Sequence, residues 1–153
     1  MQLTRHLPRA VYALMLLSPI WLQKLVVFLI SPKGTVGVSA VIQDPDHRVL
    51  VVHHTYRRPS WGLPSGLVAR SEQPEATVAR EIREELGVEA VVESLICASI
   101  DWRYRHLTLH YRVRLLGTPR PVGPELDNLR FVDPVELSRL IGGRAPAWLS
   151  GQD

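Results

Sequence analysis

The sequence predicts an α/β domain: a mixed β-sheet flanked by helices, preceded by an apolar helical extension. Two observations carry this expectation. Between Pro74 and Gly87 an apolar residue stands at every fourth place (Val78, Ile82, Leu86), the spacing of one helix face. Between His106 and Leu116 the pattern alternates, with Leu107, Leu109, Tyr111, Val113 and Leu115 facing one way and His106, Thr108, His110, Arg112 and Arg114 the other, the period of a half-buried antiparallel strand. Strand candidates flank the helix on both sides and a late helix closes the order, which fits a sheet between helices. The 153 residues, 46% apolar and 22% charged, suit one globular core.

The elements follow in order. Ala10 to Ile30 is almost wholly apolar and long enough to reach across a bilayer core, but Pro19 interrupts it and Gln23-Lys24 lies inside it. It reads as one or two helices broken near Pro19, packed on the domain or across a homodimer; membrane association through residues 10–30 and a cleaved signal peptide are the other readings. Pro32-Lys33-Gly34 links it to the main domain, so the expected division is 1–33 and 34–153. Val36–Gln43 and Arg48–His54 read as a hairpin around the turn Asp44-Pro45-Asp46-His47. Tyr56–Ser60 and Trp61–Gly66 read as loops. After the helix come strands at Ala90–Ile100, His106–Leu116 and Leu129–Val132, then a helix from Pro134 to Ile141 with Gly142 at its end. Arg144 onward reads as a tail, with Trp148 and Leu149 as docking residues.

Charge narrows the function. The net +3 comes from 16 Arg and 2 Lys, scattered without a run of five or six, so no DNA-binding surface is indicated. The single Cys97 cannot form an internal disulfide and sits in an apolar run, which fits a reducing cytoplasm and disfavours a catalytic thiol. His53-His54, His106 and His110 lack the spacing of a zinc site and read as strand residues.

The predicted helix also carries Glu81, Glu84 and Glu85, spaced i, i+3, i+4, so three carboxylates converge within about one turn. Such charges repel, and Arg80 and Arg83 offset them only in part. A hard divalent cation such as Mg²⁺ prefers oxygen ligands and is commonly shared with substrate phosphates. The preceding Trp61-Gly62-Leu63-Pro64-Ser65-Gly66 allows close backbone approach. Loop and helix together read as a metal cup for a phosphate-bearing substrate.

The order Gly66, Glu72, Arg80-Glu81-Ile82, Glu84-Glu85, Gly87-Val88 resembles the signature of the Nudix hydrolases at every defined position. With average residue frequencies a chance match in a chain this long has a probability on the order of 10⁻⁷. Weaker likeness extends to Trp61-Gly-Leu-Pro before the box and to Glu125 and Arg130-Phe131-Val132-Asp133 after it. The resemblance implies the Nudix fold, an α/β/α sandwich with the box at one end of a mixed sheet. It also implies hydrolysis of a phosphoanhydride bond in a nucleoside diphosphate linked to another group, by water attack on phosphorus. It implies Mg²⁺ or Mn²⁺ held by Glu81, Glu84, Glu85 and the Ser65 carbonyl, where the family more often has Gly or Ala. Glu81 or Glu125 would activate water, Arg80 would hold a box glutamate, and Gly66 and Glu72 would support the loop. Ala69 stands where the family often has a glutamate, which would leave fewer ions bound.

Recognition of the substrate is expected from Arg57 and Arg58 on outer phosphates and from Trp61, Trp102 or Tyr104 stacking on a base, with Arg103 and Arg105 interleaved. Against the hydrolase stand three other readings. These are a non-catalytic nucleotide-binding domain, which would usually lose box glutamates; a hydrolase of capped or triphosphorylated RNA ends; and a membrane-surface enzyme acting on a lipid-linked diphosphate.

Overall fold

The computed structural model describes residues 17–31 and 33–141. Part of the apolar stretch (10–16), the Gly142 helix stop and the tail with Trp148 and Leu149 lie outside the described residues. The chain divides at the Lys33–Gly34 junction into two compact units.

In the first unit, α1 (Ile20–Ile30) starts on Pro19, whose carbonyl accepts from the Leu22 N–H at 2.9 Å. Proline cannot continue a helix backwards through its missing N–H, so the break falls there. Apart from Gln23 and Lys24 the helix is apolar, and none of its residues is buried. Among the described residues, no helix is long and apolar enough to cross a membrane.

The second unit is built on two sheets. β1 (Thr35–Val41) lies between β4 (Ser65–Leu67), antiparallel to it, and β6 (His106–Leu115), parallel to it; β5 (Ala90–Asp101) pairs antiparallel with β6 at the edge. The smaller sheet is antiparallel, with β2 (Val49–His54) between β3 (Trp61–Gly62) and β7 (Leu126–Val132). Helix α2 (Pro74–Leu86) packs on the larger sheet and α3 (Pro134–Leu140) on β2.

Two expectations change. The hairpin around Asp44 exists only at its tip. Asp44 Oδ1 accepts from the Asp46 and Arg48 N–H groups at 3.0 and 2.9 Å, and Leu50 N–H reaches the Ile42 carbonyl at 2.9 Å. Beyond that, β1 and β2 diverge into different sheets. Also, the segment 61–66 is not all loop: it contains β3 and the start of β4, each held by a longer strand.

β2 explains the divergence. Val49, Leu50, Val51 and Val52 are all fully buried. Successive side chains of a strand point to opposite faces, so Leu50 and Val52 enter one core with Val38, Ala40, Val78, Ile82, Leu86, Tyr111 and Val113. Val49 and Val51 enter another with Val41, Val132 and Leu137. A continuous apolar run is what a strand covered on both faces requires.

Candidate active site

Helix α2 forms where the sequence places it. Pro74 opens it, Glu75 is in its first turn and Arg83 in its last, each complementing the helix dipole. Gly87 closes it at φ +62°, where a Cβ would be strained, and its N–H reaches the Arg83 carbonyl at 3.1 Å. Val78, Ile82 and Leu86 are buried, each contributing ~1.5–3 kcal/mol. That fixes the rotation of the helix and turns the acidic face toward β4.

Glu81 lies directly against Gly66: a Cβ at that position would stand 1.9 Å from Glu81 Oε1. Glycine is therefore required there by space. Glu85 Oε2 accepts from the Ser65 N–H at 3.2 Å. Arg80 Nη1 stands between the other acids, 2.9 Å from Glu81 Oε1 and 2.9 Å from Glu84 Oε2. Its Nε bonds Glu72 Oε1 at 3.0 Å. Glu72 also accepts from Thr77 Oγ1 at 2.8 Å and from the Ala69 N–H at 3.3 Å, which fastens the loop to the helix.

The electrostatics separate these acids. Hydrogen bonds from Arg80 and then Thr77 hold Glu72 down at about 2. Burial, then the negative charge of Glu81, push Glu85 up to about 8, against the Ser65 N–H and Arg57; Glu125 adds to the rise. Burial raises Glu81 as well, opposed chiefly by Arg80. Crowded, partly desolvated carboxylates of this kind hold protons unless a cation joins them.

A cleft of about 700 Å³ opens over this face, its lining including Ser65, Gly66, Arg80, Glu81, Glu85, Arg57 and Glu125. Thr55 brings the last two together: its N–H bonds the Glu125 carbonyl at 3.0 Å and its hydroxyl the Pro124 carbonyl at 3.0 Å. Glu84 does not line the cleft; its side chain is 59% exposed and tied by Arg80. Arg58 and Trp61 do not line it either. Trp61 pairs across β3–β2 with His53, ring centroids 5.0 Å apart, and lies beneath the Arg130 guanidinium at 4.9 Å. Trp102 and Tyr104 sit exposed in the turn between β5 and β6.

The cleft is also lined by Ser39, His106, Thr108, His110 and Tyr56. Parallel register sets Gly37 beside Thr108 and Ser39 beside His110, so these side chains share one sheet face. His106 Nδ1 is 2.7 Å from Thr35 Oγ1, and His110 Nε2 is 2.9 Å from Ser99 Oγ. The alternation of β6 places His106, Thr108 and His110 on one face, and a period-2 pattern does not show what that face meets.

Among the described residues, no three acid or histidine side chains are grouped as a finished metal cage. The donor set nonetheless fits a hard divalent ion: it is carboxylate oxygen, crowded, and closed on one side by a glycine whose Cβ would fill the space.

Fold and site together define an α/β domain with an acidic helix face lining one cleft. A family model described as the NUDIX domain matches residues 33–149, and the chain belongs to that family, as a Nudix pyrophosphohydrolase. A MutT-like protein from Streptomyces ambofaciens is 28% identical over 70% of this chain and 69% of its own length. An ADP-ribose pyrophosphatase from Mycobacterium tuberculosis is 42% identical over 35% of this chain, which spans 28% of that protein. The crystal structure of a MutT NUDIX hydrolase from Burkholderia pseudomallei superposes with a TM-score of 0.59 at 31% identity, covering 65% of this chain and 83% of that one.

Proposed function

We propose that this protein cleaves the phosphoanhydride bond of a nucleoside diphosphate attached to a neutral, hydroxyl-bearing group such as a sugar. The observation that carries this reading is that Glu81, Glu85, Glu125 and Arg57 line one cleft together with the hydrogen-bonding side chains Ser39, Thr108, His106 and His110. The charged group suits a diphosphate, and the Ser, Thr and His group can hydrogen-bond hydroxyls. The relative named as an ADP-ribose pyrophosphatase supports the same class.

Glu81, Glu85 and the Ser65 carbonyl would hold Mg²⁺ or Mn²⁺, and Glu84 would join them on turning from Arg80 toward the cleft. When bound, such an ion supplies positive charge against the phosphate oxygens. Arg57 binds a phosphate oxygen, and Arg80 fixes the rotamer of Glu81. Glu81 or Glu125 takes a proton from the attacking water. The water oxygen bonds to phosphorus, the bridging P–O bond breaks, and the proton passes to the departing phosphate.

The test is a panel with Mg²⁺ or Mn²⁺: nucleoside triphosphates, ADP-ribose, other nucleotide-sugars, dinucleoside polyphosphates, and capped and triphosphorylated RNA. We expect the sugar-linked diphosphates to give the highest kcat/KM. Preference for RNA ends or triphosphates overturns the substrate class, and turnover of none overturns the hydrolase.

Residues 1–33 carry Arg5, Arg9, Lys24 and Lys33 and no acidic residue, and α1 is apolar apart from Gln23 and Lys24. At eleven residues α1 reaches only ~16 Å, too short to span a bilayer. We propose that this unit seats the enzyme on an anionic lipid surface. Co-sedimentation with phosphatidylserine vesicles, weakened with phosphatidylcholine alone and lost on deleting residues 1–33, is expected; equal partition without vesicles or with the deletion refutes it.

A further inference from the structure

His54 is 1% exposed and ends β2 at a register shift, its own N–H held by the Ser60 carbonyl at 2.7 Å. Its Nε2 faces Arg57 Nη2. A guanidinium has only donors, so Arg57 donates and Nε2 accepts. Nδ1 must then carry the ring proton, and it is buried without a hydrogen-bond partner. Burial and the nearby Arg57 charge hold the imidazole at about 4, so it stays neutral at physiological pH and keeps its acceptor. Gly62 lies beside both groups: a Cβ there would stand 2.9 Å from Arg57 Nη2 and 4.0 Å from His54 Nε2.

An orphaned donor in a core costs stability, and an aliphatic side chain would fill this place without that cost. The cost has a use. Arg57 is a basic residue lining the cleft; Glu85 attracts it, and its hydrogen bond goes to His54. A free arginine in such a place loses side-chain entropy on gripping a ligand; one held beforehand loses less. Adjacent Arg58 has no such seat and stays out of the cleft.

We propose that His54 is a positioning residue: with Gly62 it forms a slot that holds the Arg57 guanidinium at the cleft, as a preformed clamp for the non-bridging phosphate oxygens of a diphosphate. This rests on the hydrolase reading for its ligand, but not for the slot itself.

Two measurements separate them. Side-chain ¹⁵N NMR, with Arg57 assigned by its loss in R57K, should show slowly exchanging Arg57 guanidinium protons in the full chain. In His54→Leu they should exchange at the bulk arginine rate. His54→Gln, whose amide oxygen can accept, should recover slow exchange. An Arg57 signal unchanged in His54→Leu overturns the slot whether or not any substrate is found. In steady-state hydrolysis of ADP-ribose with Mg²⁺, His54→Leu should raise KM about tenfold or more and change kcat far less. Gly62→Ala, which leaves His54 in place, should do the same. Arg57→Ala should match them, and the His54→Leu/Arg57→Ala double variant should be no worse than Arg57→Ala alone. A fall in kcat at constant KM, or full additivity in the double variant, overturns the positioning role. The melting temperature of His54→Leu should be unchanged or higher, which a purely structural histidine would not give.

Discussion

Glu85→Gln should remove activity and yet stabilise the ion-free protein above neutral pH. The glutamate sits at about 8 in the folded chain against 4.5 for an ordinary carboxyl. A folded-state value above the unfolded one means that the native protein keeps a proton the unfolded chain has released. Below pH about 4.5 both states are protonated and the residue costs nothing. As pH rises toward 8 the cost grows, and above 8 it stays constant. Taken alone the shift corresponds to ~5 kcal/mol at 1.36 kcal/mol per unit. Glu81 shares the repulsion and either acid can take the proton, so about half, ~2–3 kcal/mol, is expected from Glu85. Glutamine keeps an oxygen for the Ser65 N–H and carries no charge. In EDTA the wild-type melting temperature should therefore fall from pH 5 to pH 8. The variant's should fall less and end about 4–10 °C higher. Mg²⁺ should raise the melting temperature of the wild type at pH 8 and leave the variant nearly unmoved, while turnover in the variant drops by at least ~10²-fold. Equal pH profiles for the two proteins in EDTA, or Mg²⁺ stabilising both alike, would refute the crowding of carboxylates on which the site rests.

Gly66→Ala should abolish turnover with the fold retained, because the added methyl would occupy the place of Glu81 Oε1; circular dichroism and an assay on the panel check both halves. Glu72 is depressed to about 2, so its stabilising bonds are fully present above pH about 4.5 and vanish as pH falls toward 2. Glu72→Gln should accordingly melt lower than wild type at pH 6, with the gap closing toward pH 2. Glu81→Gln and Glu125→Gln compare the two candidate bases: the one serving that role should lose the alkaline-rising limb of the pH–kcat profile, and retention of the limb in both would remove both from it.

Much of the site was legible because it lies on one helix. Val78, Ile82 and Leu86 define the buried side by period alone, so the acids had to lie on the other, and Pro74 and Gly87 marked its ends. Elements of two or three residues were not legible, since β3 and β4 are shorter than any period that would reveal them. Nor was the parting of β1 from β2. Alternation tells which way a side chain points and not which strand lies alongside, and only the four fully buried residues of β2 hinted that it had cover on both faces. The choice between Arg57 and Arg58 depended on a slot made by His54 and Gly62, contacts across a turn that no local pattern encodes. Trp61 looked like a stacking platform from its neighbours in sequence, but its register opposite His53 turned it away from the cleft.

Arg80 has a consequence for the ion-free protein. Its guanidinium already bridges two of the acids that would otherwise repel. The covalently attached cation offsets part of the repulsion between Glu81 and Glu84, so the folded arrangement of these two side chains does not depend on an inorganic ion for all of its charge balance.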